Sequence, residues 1–203
     1  MAETGESGAR ALAESRHRLA NVFQLLSTLA RMRLRRAADD EAQRHLSWML
    51  DMLQAVAALQ QRVLSEDGDD FALFLADMAG HWRRHCDGRP IAIKLATEPL
   101  HPLESRASAL ALIANELVLN AIAHAFPDGR AGVIRIELRR LDDGWAQLCV
   151  EDDGQGYARE AVPADKLGLW LIDGLAGQVK GRLSTETANG VRCRLDFPVG
   201  SAR

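Results

Sequence analysis

The stretch 115-NELVLNAIAHAF-126 decides how the second half of the chain is read. Its apolar residues predict a helix, yet Glu116, Asn120 and His124 recur at every fourth position and stack along one face. Taken alone, that ladder fits either an ordinary wet helix face or the wall of a polar cleft. The segments that follow favour the cleft. WAQLCVED at 145–152 predicts a strand that runs into the glycine turn EDDGQGY, 151–157. Gly154 and Gly156 allow a tight turn and close backbone approach to a ligand, and Asp152 offers a carboxylate that can accept a hydrogen bond from an amino group. KLGLWLIDGLAG, 166–177, then predicts a helix opening at Gly168 and Leu169, where free backbone N–H groups could hold phosphate. Each signal is weak singly; the ordered set is stronger.

Working outward, IAIKLAT (91–97), GVIRIELRR (132–140) and two closing segments around 181–187 and 191–197 predict further strands, with helices over 71–87, 105–125 and 168–178. The alternation in VRCRLDF suits a sheet with one wet face and helices on the other. The expected class is therefore α+β, with an α/β sandwich over 70–200.

Before it, apolar residues recur at Leu12, Leu19 and Leu26, with Val22, Phe23, Leu29 and Ala30 beside them, which predicts a helix over 9–37. After the turn AADDEAQ, a second helix over 41–64 carries Leu46, Met49, Leu50, Leu53, Val56, Ala57, Val63 and Leu64 on its apolar side. The two predict an antiparallel hairpin over 9–66. Two facing stripes leave apolar surface uncovered, so the hairpin is expected to complete a dimeric four-helix bundle with a second copy. The polar break SEDGDD, 65–70, marks the boundary. At 3.6 residues per turn, His17 lies roughly 160° from Leu19. It shares the polar side with Glu14, Asn21, Gln24 and Thr28.

Composition sets limits on function. A net charge of −3 gives no basic field for nucleic acid or an anionic membrane. The local cluster RMRLRR, 31–36, reads as solvated arginines near a helix C-terminus, or more sharply as a docking patch for an acidic partner. Three scattered cysteines, Cys86, Cys149 and Cys193, build neither a disulfide framework nor a zinc motif and suit a reducing compartment. The first twenty residues lack the apolar core of a signal peptide, and no span of about 18 apolar residues is expected anywhere in the chain. A cytoplasmic protein without membrane insertion and without a sensor domain is expected. His81 and His85, one turn apart beside Cys86, lack further metal ligands at suitable spacing and read as structural or exposed. Trp48, Trp82 and Trp170 are expected to pack.

The helix, glycine loop and second helix together resemble the ATP-binding sandwich of the GHKL fold, shared by DNA gyrase, MutL, heat-shock chaperones of the ninety-kilodalton class and bacterial histidine kinases. That resemblance covers roughly residues 70–198. It implies ATP and Mg²⁺ as cofactors, Asn120 as the Mg²⁺ ligand and Asp152 as the reader of the adenine amino group. Gly154 and Gly156 would pass close to the base, and Gly168 would open the phosphate-side helix. Glu116 would orient or deprotonate the attacking group, and His124 would lie near the base. Residues 157–167 would form the lid, with Lys166 and Arg159 as its phosphate contacts.

ESRHRLANVFQLLSTLARMR resembles the H-box of a histidine kinase group, approximately E-x-H-H-R-x-K-N-x-L-Q; Glu14, His17, Arg18, Asn21 and Gln24 match in order. The group is the sister of the HWE kinases. The Trp-x-Glu pair of the HWE set is absent, Cys149 and Glu151 being the nearest spacing. The resemblance implies that His17 takes a phosphoryl group from Mg-ATP and passes it to an aspartate of a response-regulator receiver domain. The input would come from a separate sensor protein. Two departures matter: the H-box lysine is Ala20, and the lysine expected before His124 is Ala123. They leave open a phosphotransferase that relays between receivers without ATP. An anti-sigma-factor-type serine kinase shares the nucleotide motifs but has no need of a hairpin bearing His17, and a non-enzymatic dimeric scaffold carrying relic motifs is the remaining alternative.

Overall fold

The computed structural model describes residues 21–62, 70–86, 88–156 and 167–200. The chain divides into two compact units, Met1–Gly68 and Asp69–Arg203. His17, Lys166 and Arg159 lie outside the described residues, as do most of SEDGDD and of the expected lid.

In the first unit, helix α1 runs through residues 21–34 and α2 spans Asp40–Arg62. Asp39 starts α2: its Oδ2 accepts from the Ala42 N–H at 3.0 Å, and Asp40 and Glu41 place further negative charge in the first turn. The arginines at 31, 33, 35 and 36 are exposed around the end of α1, as a solvated cluster should be. The apolar stripe of α1 divides. Ser27 and Ala30 are buried, whereas Val22, Leu25, Leu26, Leu29 and Met32 are exposed. On α2 the buried residues are Leu50, Met52, Ala55 and Leu59, and Met49 is exposed against expectation.

The second unit is a five-stranded mixed sheet with helices on one face. In chain order it contains α3 (Phe71–His85), β1 (Ile91–Thr97), α4 (Glu104–His124), β2 (Gly132–Arg140), β3 (Trp145–Asp152), α5 (Leu167–Gln178), β4 (Arg182–Glu186) and β5 (Arg192–Pro198). The strand order is β1-β2-β3-β5-β4; β1 lies parallel to β2, and every other pairing is antiparallel. The inward residues Ile134, Ile136, Leu138, Leu148, Val150, Leu195 and Phe197 alternate with polar ones, so period-two patterning places one face in the core. On the other face, side chains bridge the strands: Arg192 to Glu151 at 2.6 Å, Arg194 to Glu186 at 2.6 Å, and Gln147 Nε2 to Asp196 Oδ1 at 2.7 Å. That polar cover buries Cys149 on the wet side, where desolvation pushes its thiol up to about 11.

Asp70 ends the interdomain break by capping α3. Its Oδ1 accepts from the Ala72 N–H at 2.9 Å and the Leu100 N–H at 3.1 Å, fastening the helix start to the segment after β1. Trp82 packs fully, but Trp170 is 73% exposed, because α5 turns it away from the sheet. Against the expectation from sequence, the stretch Ser105–His124 is long and apolar enough by length and composition to cross a membrane. Here it is the core helix of the sandwich, 67% buried.

Within that core, the Trp82 indole Nε1–H donates to Asn115 Oδ1 at 2.9 Å, tying α3 to α4 with both residues at 0% exposure. Trp82→Phe removes the donor and leaves a buried amide oxygen without this partner. Urea unfolding should show a loss of about 1–3 kcal/mol, while the far-ultraviolet spectrum stays folded.

Candidate active site

Helix α4 carries the polar ladder across the inner face of the sheet, and its three rungs meet different surroundings. Glu116 is buried at 4% exposure, Asn120 is half-buried and His124 is exposed. The Asn120 Nδ2–H donates to Glu116 Oε1 at 3.0 Å. With its nitrogen donating in this bond, the amide is held in one orientation and Asn120 Oδ1 is left available as an acceptor. Gly168, in the first turn of α5, passes directly over Glu116: a Cβ there would collide with the Glu116 Oε1 atom. The glycine leaves the Glu116 carboxylate where it is, a reason distinct from opening a helix, and α5 begins one residue earlier at Leu167.

At the end of β3, Asp152 is buried to 4% exposure. Its Oδ1 accepts from the Gly154 N–H at 2.9 Å and from the Val191 N–H at 3.3 Å. Burial raises its pKa above the ordinary value; the two backbone bonds oppose that shift, and neighbouring Asp153 and Glu151 add to it. Both neighbours of the carboxylate are glycines by necessity. A Cβ on Gly154 would strike the Ala125 carbonyl and lie 2.7 Å from Asp152 Oδ1; one on Gly190, whose φ is +100°, would strike the Asp152 carbonyl.

These elements border a cavity of about 460 Å³. Its apolar wall includes Leu117, Ala121, Val150, Leu169, Val191 and Cys193, and its polar groups come from Asn120, His124, Asp152 and Gln155. Such a cavity suits a flat apolar ring system with a few oriented polar contacts. Of the residues expected from sequence, Asn120, His124, Asp152, Gly156 and Leu169 line it. Glu116, Gly154 and Gly168 are not among its lining residues and support those that are. Ala123, where a lysine was expected, lies in the wall, and the described lining residues include no lysine or arginine. Sequence reading missed Gln155, Val191 and Gly190. Of these, only the Asn189-Gly190 turn had a local signal. Cys193 is buried and its thiol is pushed up by desolvation, so its role here is as wall.

A family profile described as "Histidine kinase-like ATPase domain" matches residues 92–195, and another described as "Histidine kinase" matches residues 14–84. The chain belongs to the histidine kinase-like ATPase domain family. It is 31% identical over 205 residues to the sensor histidine kinase PdtaS of Mycobacterium tuberculosis, a match that takes in 92% of this chain and 39% of that protein. The chain thus spans well under half the length of that relative. A solved histidine kinase domain from a blue-light-activated histidine kinase of Erythrobacter litoralis has the same fold, with a TM-score of 0.70 at 23% identity over 94% of this chain and 91% of the other. A full-length structure of ShkA in complex with AMPPNP superposes with a TM-score of 0.54 at 18% identity, covering 95% of this chain and 47% of ShkA.

Because its folded-state pKa is raised, Asp152 costs stability when ionised, and the cost is relieved as pH falls through that raised value. Asp152→Asn keeps an acceptor for the two backbone N–H groups without the buried charge. Its melting temperature should equal or exceed that of the parent at neutral pH, and the difference should shrink on mild acidification. Calorimetry across that range checks the sign.

Proposed function

We propose that the chain is a two-component histidine kinase that binds Mg-ATP in the α4 cavity, phosphorylates His17 and passes the phosphoryl group to an aspartate of a receiver domain. The observation that carries the reading is the buried Asp152 carboxylate, held by backbone N–H groups beside an apolar cavity. One of its oxygens takes both backbone bonds. The other has the right character to accept from the exocyclic amino group of adenine, with Leu117, Val150 and Leu169 against the ring.

The residues present fit a magnesium ion. Asn120 Oδ1 is a neutral oxygen ligand whose orientation Glu116 fixes. When bound, the ion neutralises phosphate charge and orients the γ-phosphate. Glu116 then acts through Asn120 as a positioning residue. The first turn of α5, with Gly168 and Leu169 in it, would turn its N–H groups to phosphate, and Lys166 would supply a cation. At His17 a neutral imidazole nitrogen attacks the γ-phosphorus, the bond to the bridging oxygen breaks, ADP leaves and the imidazole proton passes to solvent.

The exposed stripe of α1 supports a dimer. Val22, Leu25, Leu29 and Met32 follow a three-four-three spacing and are all about half exposed, a pattern that suits the seam of a helical bundle formed with a second copy. The reading implies cytoplasmic chemistry and a receiver partner.

A relay phosphotransferase is the second reading, and Ala123 in the cavity wall favours it, since a cation there would contribute about 1.5–3 kcal/mol to a charged contact. One experiment separates the two. With γ-labelled ATP and Mg²⁺, the kinase reading predicts acid-labile, base-stable label that His17→Ala abolishes. Label surviving that substitution rejects the acceptor assignment; no label from ATP, but transfer to His17 from a phosphorylated receiver, selects the relay.

A further inference from the structure

Helix α4 ends at His124 without a glycine cap, which leaves its last carbonyls in need of donors from elsewhere. Two residues remote in sequence supply them. Arg89 donates from Nη1 to the Ile122 carbonyl at 2.6 Å and from Nη2 to the Phe126 carbonyl at 2.9 Å. Gln155 donates from its side-chain Nε2 to the His124 carbonyl at 3.0 Å and from its backbone N–H to the Ala125 carbonyl at 3.0 Å. Four carbonyls around the helix end are thus held from two sides.

Each donor sits on a fixed backbone. The Arg89 N–H bonds to the Cys86 carbonyl at 2.8 Å, and its own carbonyl accepts from the Ile91 N–H at 2.8 Å, so the residue is tied to the start of β1. Gln155 lies between the two glycines of the loop and lines the cavity. The guanidinium also places positive charge at the negative end of the helix macrodipole. The helix end so held carries His124 and, one turn earlier, Asn120; the loop so held begins with Asp152.

We propose that Arg89 and Gln155 are positioning residues for the nucleotide: they clamp the end of α4 to the β1 start and to the glycine loop, and so hold Asn120 and Asp152 in register across the cavity. They act through one helix end. The inference rests on the nucleotide-binding reading above. A purely structural role would lower melting temperature without a specific effect on ligand affinity.

The test is a double-mutant cycle on the full chain, reading Mg-ATP affinity by titration and melting temperature in parallel. Arg89→Met and Gln155→Met remove the donors while keeping length. Each should weaken binding about threefold to tenfold, the range set by one or two lost hydrogen bonds. The double variant should lose less than the product of the singles, because the second loss acts on an end already released. Arg89→Lys should fall between parent and Arg89→Met, since an ammonium keeps the charge but not the two-pronged fork. If Arg89→Met fails to fold, Arg89→Lys and Gln155→Met decide by the same criterion. Affinities equal to the parent, or losses that multiply without coupling, overturn the clamp. A parent chain that binds no Mg-ATP removes both the clamp and the reading beneath it, whereas parent binding that all variants retain removes the clamp alone.

Discussion

The second unit is organised around a carboxylate kept out of water. Burying Asp152 at the end of β3 costs free energy that only hydrogen bonds to the charge can offset, each contributing about 1.5–3 kcal/mol. The chain provides two from backbone, Gly154 and Val191. Bringing those amides within reach requires the β4–β5 turn to close onto the β3 end. Gly190 is there because any larger residue would displace the Asp152 carbonyl. The order β3-β5-β4 at this side of the sheet, with β5 antiparallel to β3, delivers Val191 to that place. Topology, glycine placement and the buried charge are three aspects of one constraint.

A second buried carboxylate repeats the arrangement on the helix layer. Glu116 accepts from Asn120 and lies under Gly168, so α4 and α5 approach through a glycine contact where a larger residue would push the Glu116 carboxylate aside. The cavity is consequently framed by one acidic group below each layer: Asp152 lines it, whereas Glu116 acts on it through an amide. In the proposed reading, binding and orienting would be divided between two side chains of the same chemistry, separated by their surroundings.

Much of this was legible in the sequence, and the reasons are local. β1, β2 and β3 begin and end where alternation gives way to turn residues, as at Asp143-Gly144, both in the left-handed region at φ 59° and 76°. The ladder at Glu116, Asn120 and His124 and the carboxylate at Asp152 carry helical period and turn chemistry, which a single sequence displays. The contacts that are remote in sequence were not. Nothing beside Arg89 announces that it caps a helix 33 residues away at Ile122, and nothing near Gly168 announces Glu116 beneath it. Periodicity likewise named the apolar residues of α1 without dividing them: Ala30 is buried, but Val22, Leu26 and Leu29 are exposed. Trp170 failed for the same reason, since burial belongs to the packing and not to the residue.

The central claim is that the Asp152 cavity is a nucleotide pocket. A crystal structure of the chain with Mg²⁺ and a non-hydrolysable ATP analogue tests it most directly. The account predicts the adenine amino group within hydrogen-bonding distance of the Asp152 carboxylate and the metal at Asn120 Oδ1. Nucleotide bound at another surface, or a cavity that stays empty at saturating analogue, would contradict it.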